Sequence, residues 1–250
     1  LVADWLVFDA GNSRLKFGWW DGVRINRLGA VPWGSRWQEA LAPAVGDEMA
    51  PGAVVIGGVS DPEILSVLGR IAKDRWGLEP LQVCTTVHAC GVRNPYPEPA
   101  QLGVDRWAAV IAASWRAREQ WHLVVDAGTA VTVDLVAPGG DFRGGAIFPG
   151  AGLLSDSLNR RTAGLPHLAP EFLPVPTQST PDAIRAGIAH GLVGAILHLE
   201  RSMLEEGGSV PCRWLTGGDA KLLAGHLPGD HQHAPGLVLE GLARIAEEAG

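Results

Sequence analysis

The sequence predicts an α/β protein built from two related halves, and three observations carry that expectation. Residues 5–20, WLVFDAGNSRLKFGWW, read as an apolar strand, a tight polar turn and a returning strand. Residues 122–137, HLVVDAGTAVTVDLVA, repeat the same grammar. Leu6, Val7, Asp9, Ala10 and Gly11 align without a gap on Leu123, Val124, Asp126, Ala127 and Gly128, with Thr129 in place of Asn12. Around both hairpins, short β-rich runs alternate with segments of helical period, the pattern of sheets flanked by helices.

In chain order, 23–31 reads as a third strand, so the first sheet begins as an antiparallel meander. Residues 36–45 read as a weak helix closed by Pro43 and Gly46, and 53–59, AVVIGGV, as a buried strand ending in glycines. Asp61-Pro62 is a helix start, with Asp as N-cap and Pro at the first helical position. That helix runs to about Trp76 and buries Ile64, Leu65, Leu68 and Ile71. Residues 81–85 read as a strand and the proline-rich 94–101 as a loop. Next comes a helix whose stripe is Trp107, Val110, Ile111, Ser114 and Trp115, with Asp105 and Arg106 in or near its first turn. The second half adds a strand over 142–148, a helix over 152–160 and an extended segment over 161–178 with four prolines. Thr180 opens a long helix to about Glu206, with Ile184, Ile188, Leu192, Ala195, Ile196 and Leu199 on its apolar face. A strand over 210–215 ends in Thr216-Gly217-Gly218-Asp219, where a nucleotide base or ribose can approach. A helix over 237–248 closes the chain. The expected domains are 1–118 and 119–250.

The 250 residues are 46% hydrophobic, enough for one large or two small cores. The net charge is −7 with no block of like charge, which argues against a nucleic-acid or membrane surface. No apolar run is long enough to span a bilayer. The opening LVADWLVFDA has neither a basic segment nor a cleavage site, so no signal peptide and a cytoplasmic location are expected. Cys84, Cys90 and Cys212 do not make a disulfide framework. Cys84, His88 and Cys90 lack the fourth ligand and the spacing of a zinc site. His231 and His233 read as part of a surface loop.

The hairpins hold the chemistry. Asp9 stands at a strand exit beside a turn of N–H and hydroxyl donors, Gly11, Asn12 and Ser13, with Lys16 on the returning strand. Such a concavity suits phosphate oxygens, and the carboxylate suits Mg²⁺. Two hairpins facing each other across a cleft would grip a nucleotide from both sides; the alternative is a pair of ordinary turns. Asp105 reads either as a helix N-cap or as a general base beside a substrate hydroxyl. Arg106 reads either as an anion ligand or as a solvated helix arginine.

The paired loops resemble those of the sugar kinase, heat-shock protein and actin superfamily, which implies duplicated ribonuclease H-like or actin-like domains with mixed sheets flanked by helices. More specifically, an ordered set of motifs resembles type III pantothenate kinases: DAGNSRLK (9–16), YPEPAQLGVDR (96–106), VVDAGTAVTVD (124–134), GGAIFPG (144–150), RTAGLP (161–166), STPDAIRAG (179–187) and LTGGDA (215–220). The family carries Thr where Ser13 stands in many members, and either hydroxyl can donate to phosphate. The resemblance implies ATP-dependent phosphorylation of pantothenate, the first step of coenzyme A synthesis. It implies ATP phosphates on Asp9, Ala10, Gly11, Asn12, Ser13, Arg14, Leu15, Lys16 and Thr129, with Mg²⁺ at Asp9. It implies a monovalent cation, K⁺ or NH₄⁺, at Asp126, and Asp105 as the base. Pantothenate would lie on Tyr96, Gly103, Val104, Asp105, Arg106 and Thr180, in a homodimer. Two other readings stay open: a phosphotransferase of the same superfamily acting on a sugar or polyphosphate, and a transcription accessory factor derived from this family.

Overall fold

The computed structural model describes residues 4–34, 36–46, 50–58, 61–204 and 211–250. The chain forms two compact units. The first comprises Leu1–Arg118, Gly139–Phe142 and Gly236–Gly250; the second comprises Glu119–Pro138 and Arg143–Pro235.

The first unit opens with β1 (Trp5–Ala10), β2 (Arg14–Trp20) and β3 (Ile25–Pro32), followed by α1 (Trp37–Val45), β4 (Ala53–Gly58), α2 (Pro62–Trp76) and β5 (Leu81–Gln82). Its sheet has the order β3-β2-β1-β4-β5. β1 pairs antiparallel with β2, Asp9 opposite Lys16, and parallel with β4, Asp9 opposite Gly57. The faces of β1 and β2 bury Leu6, Phe8, Ala10, Leu15, Phe17 and Trp19 against Leu41, Val54, Ile56 and Leu68. Asp61 caps α2 by accepting from the Glu63 N–H, as its Asp-Pro start predicts. Of its four expected apolar residues only Leu68 is fully buried, while Ile64, Leu65 and Ile71 pack at the core's edge. Pro43 lies inside α1 rather than closing it, and Gly46 is the C-cap. The expected strand over 81–85 is only two residues long. Val59 of the expected strand over 53–59 lies outside the described residues.

A hairpin that the sequence did not announce follows, β6 (His88–Ala89) and β7 (Val92–Arg93), with Arg93 paired to Asp141. Cys90 at its turn has φ of 50°. Burial and the neighbouring Glu248 push its thiol up to about 12, so it stays protonated near neutral pH. Among the described residues, no group of three or more His, Cys, Asp and Glu is placed to hold a metal, and all three cysteines are free. Arg118 holds this hairpin by donating to the carbonyls of Cys90, Gly91 and Gly139. α3 (Val104–Arg116) then runs through the unit with every residue from Arg106 to Ser114 buried. Trp115, expected on its apolar stripe, is 53% exposed.

The second unit repeats the plan. It contains β8 (His122–Ala127), β9 (Ala130–Ala137), β10 (Asp141–Pro149, whose first two residues group with the first unit), α4 (Ala151–Arg161), α5 (Thr180–Leu204), β11 (Cys212–Thr216), α6 (Ala220–Ala224) and β12 (His231–His233). The strands follow the order β10-β9-β8-β11-β12, the counterpart of β3-β2-β1-β4-β5 position for position. β8 pairs antiparallel with β9 and parallel with β11. The core joins Leu123, Val125, Val131 and Val133 to Ile184, Ile188, Leu192 and Ile196 of α5 and to Leu215 and Leu223. β12 corrects the reading of His231 and His233 as loop residues. It is the counterpart of β5, an edge strand parallel to β11, and its polar side chains carry no apolar alternation. Glu206 and Val210, the expected ends of a helix and a strand, lie outside the described residues.

The closing helix α7 (Leu237–Ala249) corresponds by position to α3, and it packs with the first unit rather than the second. The expected division assigned it to 119–250. Its apolar residues Leu237, Val238, Leu239, Leu242, Ala243 and Ile245 are buried there. Where α7 crosses α3, a methyl group on Gly241 would lie 1.9 Å from the Ala108 carbonyl oxygen, and backbone cannot yield as a side-chain tip can. Gly241→Ala is therefore expected to force the helices apart and cost roughly 1–3 kcal/mol. Calorimetry would show this as a drop in Tm of several degrees; an unchanged Tm would mean the helices separate freely.

Candidate active site

In the first unit, β1 delivers Asp9 to the head of the hairpin, where the side chain is 2% exposed. Lys16 Nζ lies 3.4 Å from its Oδ2. The Gly11 N–H is shared between the carbonyls of Asp9 and Arg14, at 3.2 Å each, which tightens the turn. Asn12, Ser13 and Arg14 are exposed at the tip, whereas Ala10 and Leu15 are fully buried. Those two can face a ligand only through their backbone. Trp33, which follows β3, donates its indole N–H to the Gly11 carbonyl at 2.7 Å and its backbone N–H to the Ser13 carbonyl at 3.3 Å.

Each hairpin is seated by a glycine on the neighbouring parallel strand. Gly58 ends β4 beside Ala10, and a methyl group there would fall 2.4 Å from the Ala10 carbonyl oxygen. In the second unit Gly217 follows β11, and a methyl group there would fall 2.3 Å from the Ala127 carbonyl oxygen and 2.4 Å from Asp126 Oδ1. The duplication thus extends to the strand that supports each loop. In sequence the match is VVIGG (54–58) against RWLTG (213–217), in which only the final glycine is shared. The Asp219 N–H also donates to the Ala127 carbonyl, and the Gly150 N–H to the Thr129 carbonyl. Thr216-Gly217-Gly218-Asp219 therefore acts as a brace for the second loop. Asp126 is half-buried and Thr129 exposed. Asp126 Oδ1 and the Ala127 carbonyl oxygen both lie beside Gly217, and oxygen is the donor type hard cations take.

The head of α3 is a separate cluster within the first unit. Gly103, not Asp105, is the N-cap, and Asp105 is the second helical residue. The capping reading of Asp105 is thereby removed. Its Oδ1 accepts from the Arg106 N–H at 2.8 Å, and the side chain is half-buried. Arg106 is buried rather than solvated, 7% exposed, and donates Nη1–H to the Tyr96 hydroxyl at 3.1 Å. Tyr96 in turn stacks on Phe142 with the rings 7° from parallel, and its N–H is held by Asn94 Oδ1. Tyr96, Gly103, Val104, Asp105 and Arg106 therefore come together around one helix start. Thr180 lies in the second unit, exposed at the first turn of α5, where the Ser179 hydroxyl and Asp182 bond reciprocally. It borders an apolar groove between α4 and α5 that includes Leu154, Leu158, Ile184 and Ile188.

The family model for type III pantothenate kinase matches residues 5–201 of this chain. This chain belongs to the type III pantothenate kinase family. A relative from Alkalilimnicola ehrlichii, named type III pantothenate kinase, is 54% identical over 246 residues, 98% of this chain and 99% of the relative. Among solved structures, a Campylobacter jejuni protein named for the Baf family of transcriptional activators superposes with a TM-score of 0.61 at 21% identity, covering 98% of both chains. An archaeal actin homolog superposes with a TM-score of 0.54 at 12% identity, covering 99% of this chain and all of its own. At those identities the structural likeness carries fold alone, and the fold is the duplicated actin-like one. Membership in the family makes the chain an ATP-dependent kinase. None of the described helices is long and apolar enough to cross a membrane.

Proposed function

We propose that this chain transfers the γ-phosphoryl group of ATP to the hydroxyl of pantothenate, forming 4'-phosphopantothenate in the first step of coenzyme A synthesis. The observation that carries the site assignment is the head of α3, where Asp105 stands inside the first turn rather than at the N-cap and the adjoining Arg106 is buried and bonded to Tyr96. The guanidinium binds the pantothenate carboxylate, for which its planar fork is suited. Gly103, Val104 and Tyr96 shape the pocket, and Thr180 contributes from α5. Asp105 accepts the proton of the attacking hydroxyl.

Phosphoryl transfer needs positioning and charge neutralisation more than covalent help from the protein. The 9–16 hairpin, through Asp9, Gly11, Asn12, Ser13, Arg14 and Lys16 and the backbone of Ala10 and Leu15, receives the ATP phosphates, as does Thr129. Asp9 fits Mg²⁺, which takes one or two carboxylates together with phosphate oxygens. The magnesium neutralises phosphate charge when bound. The Asp126 and Ala127 oxygens beside Gly217 fit K⁺ or NH₄⁺. The active form is a homodimer, in which a second copy covers the apolar groove beside Thr180. Three free thiols suit the reducing cytoplasm.

ADP release measured with pantothenate, ATP and Mg²⁺, with and without K⁺, tests the reading. Pantothenate-dependent turnover that rises with K⁺ is the expected result. A folded protein that turns over in neither condition would overturn it, and turnover with a sugar in place of pantothenate would move the acceptor to another class.

A further inference from the structure

We infer that Trp33 is a positioning residue for ATP, because its indole fixes the peptide orientation of the phosphate-receiving hairpin. The inference rests on the reading that this hairpin takes the ATP phosphates. Nothing in the motif around 9–16 includes Trp33, which enters from the end of β3.

Several backbone groups of the tip are already committed. The Gly11 N–H is consumed inside the turn by the carbonyls of Asp9 and Arg14. The Gly11 carbonyl is taken by the Trp33 indole at 2.7 Å, and the Ser13 carbonyl by the Trp33 N–H at 3.3 Å. A trans peptide is planar, so its C=O and the N–H of the next residue point in opposite directions. Holding the Gly11 carbonyl toward Trp33 therefore aims the Asn12 N–H the other way, while the bond to the Ser13 carbonyl ties the returning limb of the tip to the same tryptophan. An N–H held outward at the tip is a donor for a phosphate oxygen. If the Gly11–Asn12 peptide rotated, a carbonyl oxygen would face the phosphates and repel them. A tip built on glycine resists such rotation poorly.

The indole is itself well held. Trp33 packs against the first unit's core, and Trp37 of α1 meets it edge-on, with centroids 5.1 Å apart at 85°. The tryptophan thus couples a rigid core to an exposed tip.

Two variants remove the N–H. Trp33→Phe keeps an aromatic ring, and Trp33→β-(3-benzothienyl)alanine keeps the bicyclic shape with sulfur in place of N–H, which guards against a folding defect. In both, ATP KM is expected to rise about 3- to 10-fold, the size of one lost hydrogen bond. Pantothenate KM, kcat and the Tm of the free protein should stay near wild type. A merely structural role would lower Tm and the active fraction while leaving both KM values in place, and that result overturns the inference. Asp9→Asn is measured alongside. If ATP use falls in Asp9→Asn but ATP KM is unmoved in both Trp33 variants, the inference fails and the hairpin reading stands. If Asp9→Asn also leaves ATP use unchanged, the hairpin reading fails and takes the inference with it.

Discussion

Asp105→Asn is expected to fold normally and to lose turnover by about 10²–10⁴-fold, the usual contribution of a positioned general base. The amide has the carboxylate's shape and can still accept from the Arg106 N–H, the contact that Asp105 Oδ1 makes now. What it loses is the ability to take a proton. Because Gly103 caps α3, the substitution removes no helix cap, so the Tm should hold. ATP KM should hold as well, since Asp105 lies outside both hairpins. Steady-state kinetics with pantothenate, paired with a thermal melt, separates these expectations. Turnover near wild type would remove Asp105 from the chemistry and leave it as a surface charge of the first helical turn.

Glu240→Ala should give the largest loss of stability. Its carboxylate, 5% exposed on α7, is shared by two guanidiniums. Oε2 accepts from Arg116 of α3, and Oε1 accepts from Arg244 through Nε at 3.1 Å and Nη2 at 3.0 Å. Arg244 is also wedged between the rings of Trp20 and Trp115, 5.0 and 4.5 Å from their centroids. Removing the carboxylate leaves Arg244 buried without its anion, while Arg116, 36% exposed, can turn to water. Breaking a buried pair costs about 3–5 kcal/mol, and the exposed partner places the expected value at about 3. Chemical denaturation would read this as a lower midpoint at unchanged slope. A loss below about 1 kcal/mol would show that the pair merely repays its own desolvation.

The parts of this fold that could be read in advance are those with local signatures. Both hairpins declare themselves through apolar runs that end in Asp-Ala-Gly, and α2 through Asp61-Pro62. The parts that could not are set by distant contacts. β6, β7 and β12 are two or three residues long and have no period to detect. β12 was nonetheless implied by the duplication, because a repeat of β5 must exist beside β11. The apolar pattern of α7 identifies a helix but not the surface that buries it. At the site, Asp105 and Arg106 were recognisable by residue type, but their sequence positions also allowed a cap and a solvated arginine. The placement of Gly103 removes the cap, and the burial of Arg106 removes the solvated arginine. Trp33 was hidden for another reason: one tryptophan among ten carries no pattern, and its role is a bond to a carbonyl 22 residues away.

The docking of α7 on the first unit has a consequence for how the protein is made. A ribosome adding about 5–20 residues per second emits the 5–118 stretch before the second unit, yet that stretch lacks α7, which follows the second unit in the chain. The residues of the second unit end at Pro235, so its chain is complete while the earlier-made unit still waits for its final side chains. Birth order and completion order are therefore reversed. Until α7 emerges, α3 has no Gly241 surface against Ala108 and no Glu240 for Arg116, and its exposed apolar face is open to chaperones. Premature termination just before α7 would spare the most recently made sheet and cripple the oldest one, the sheet that presents Asp9.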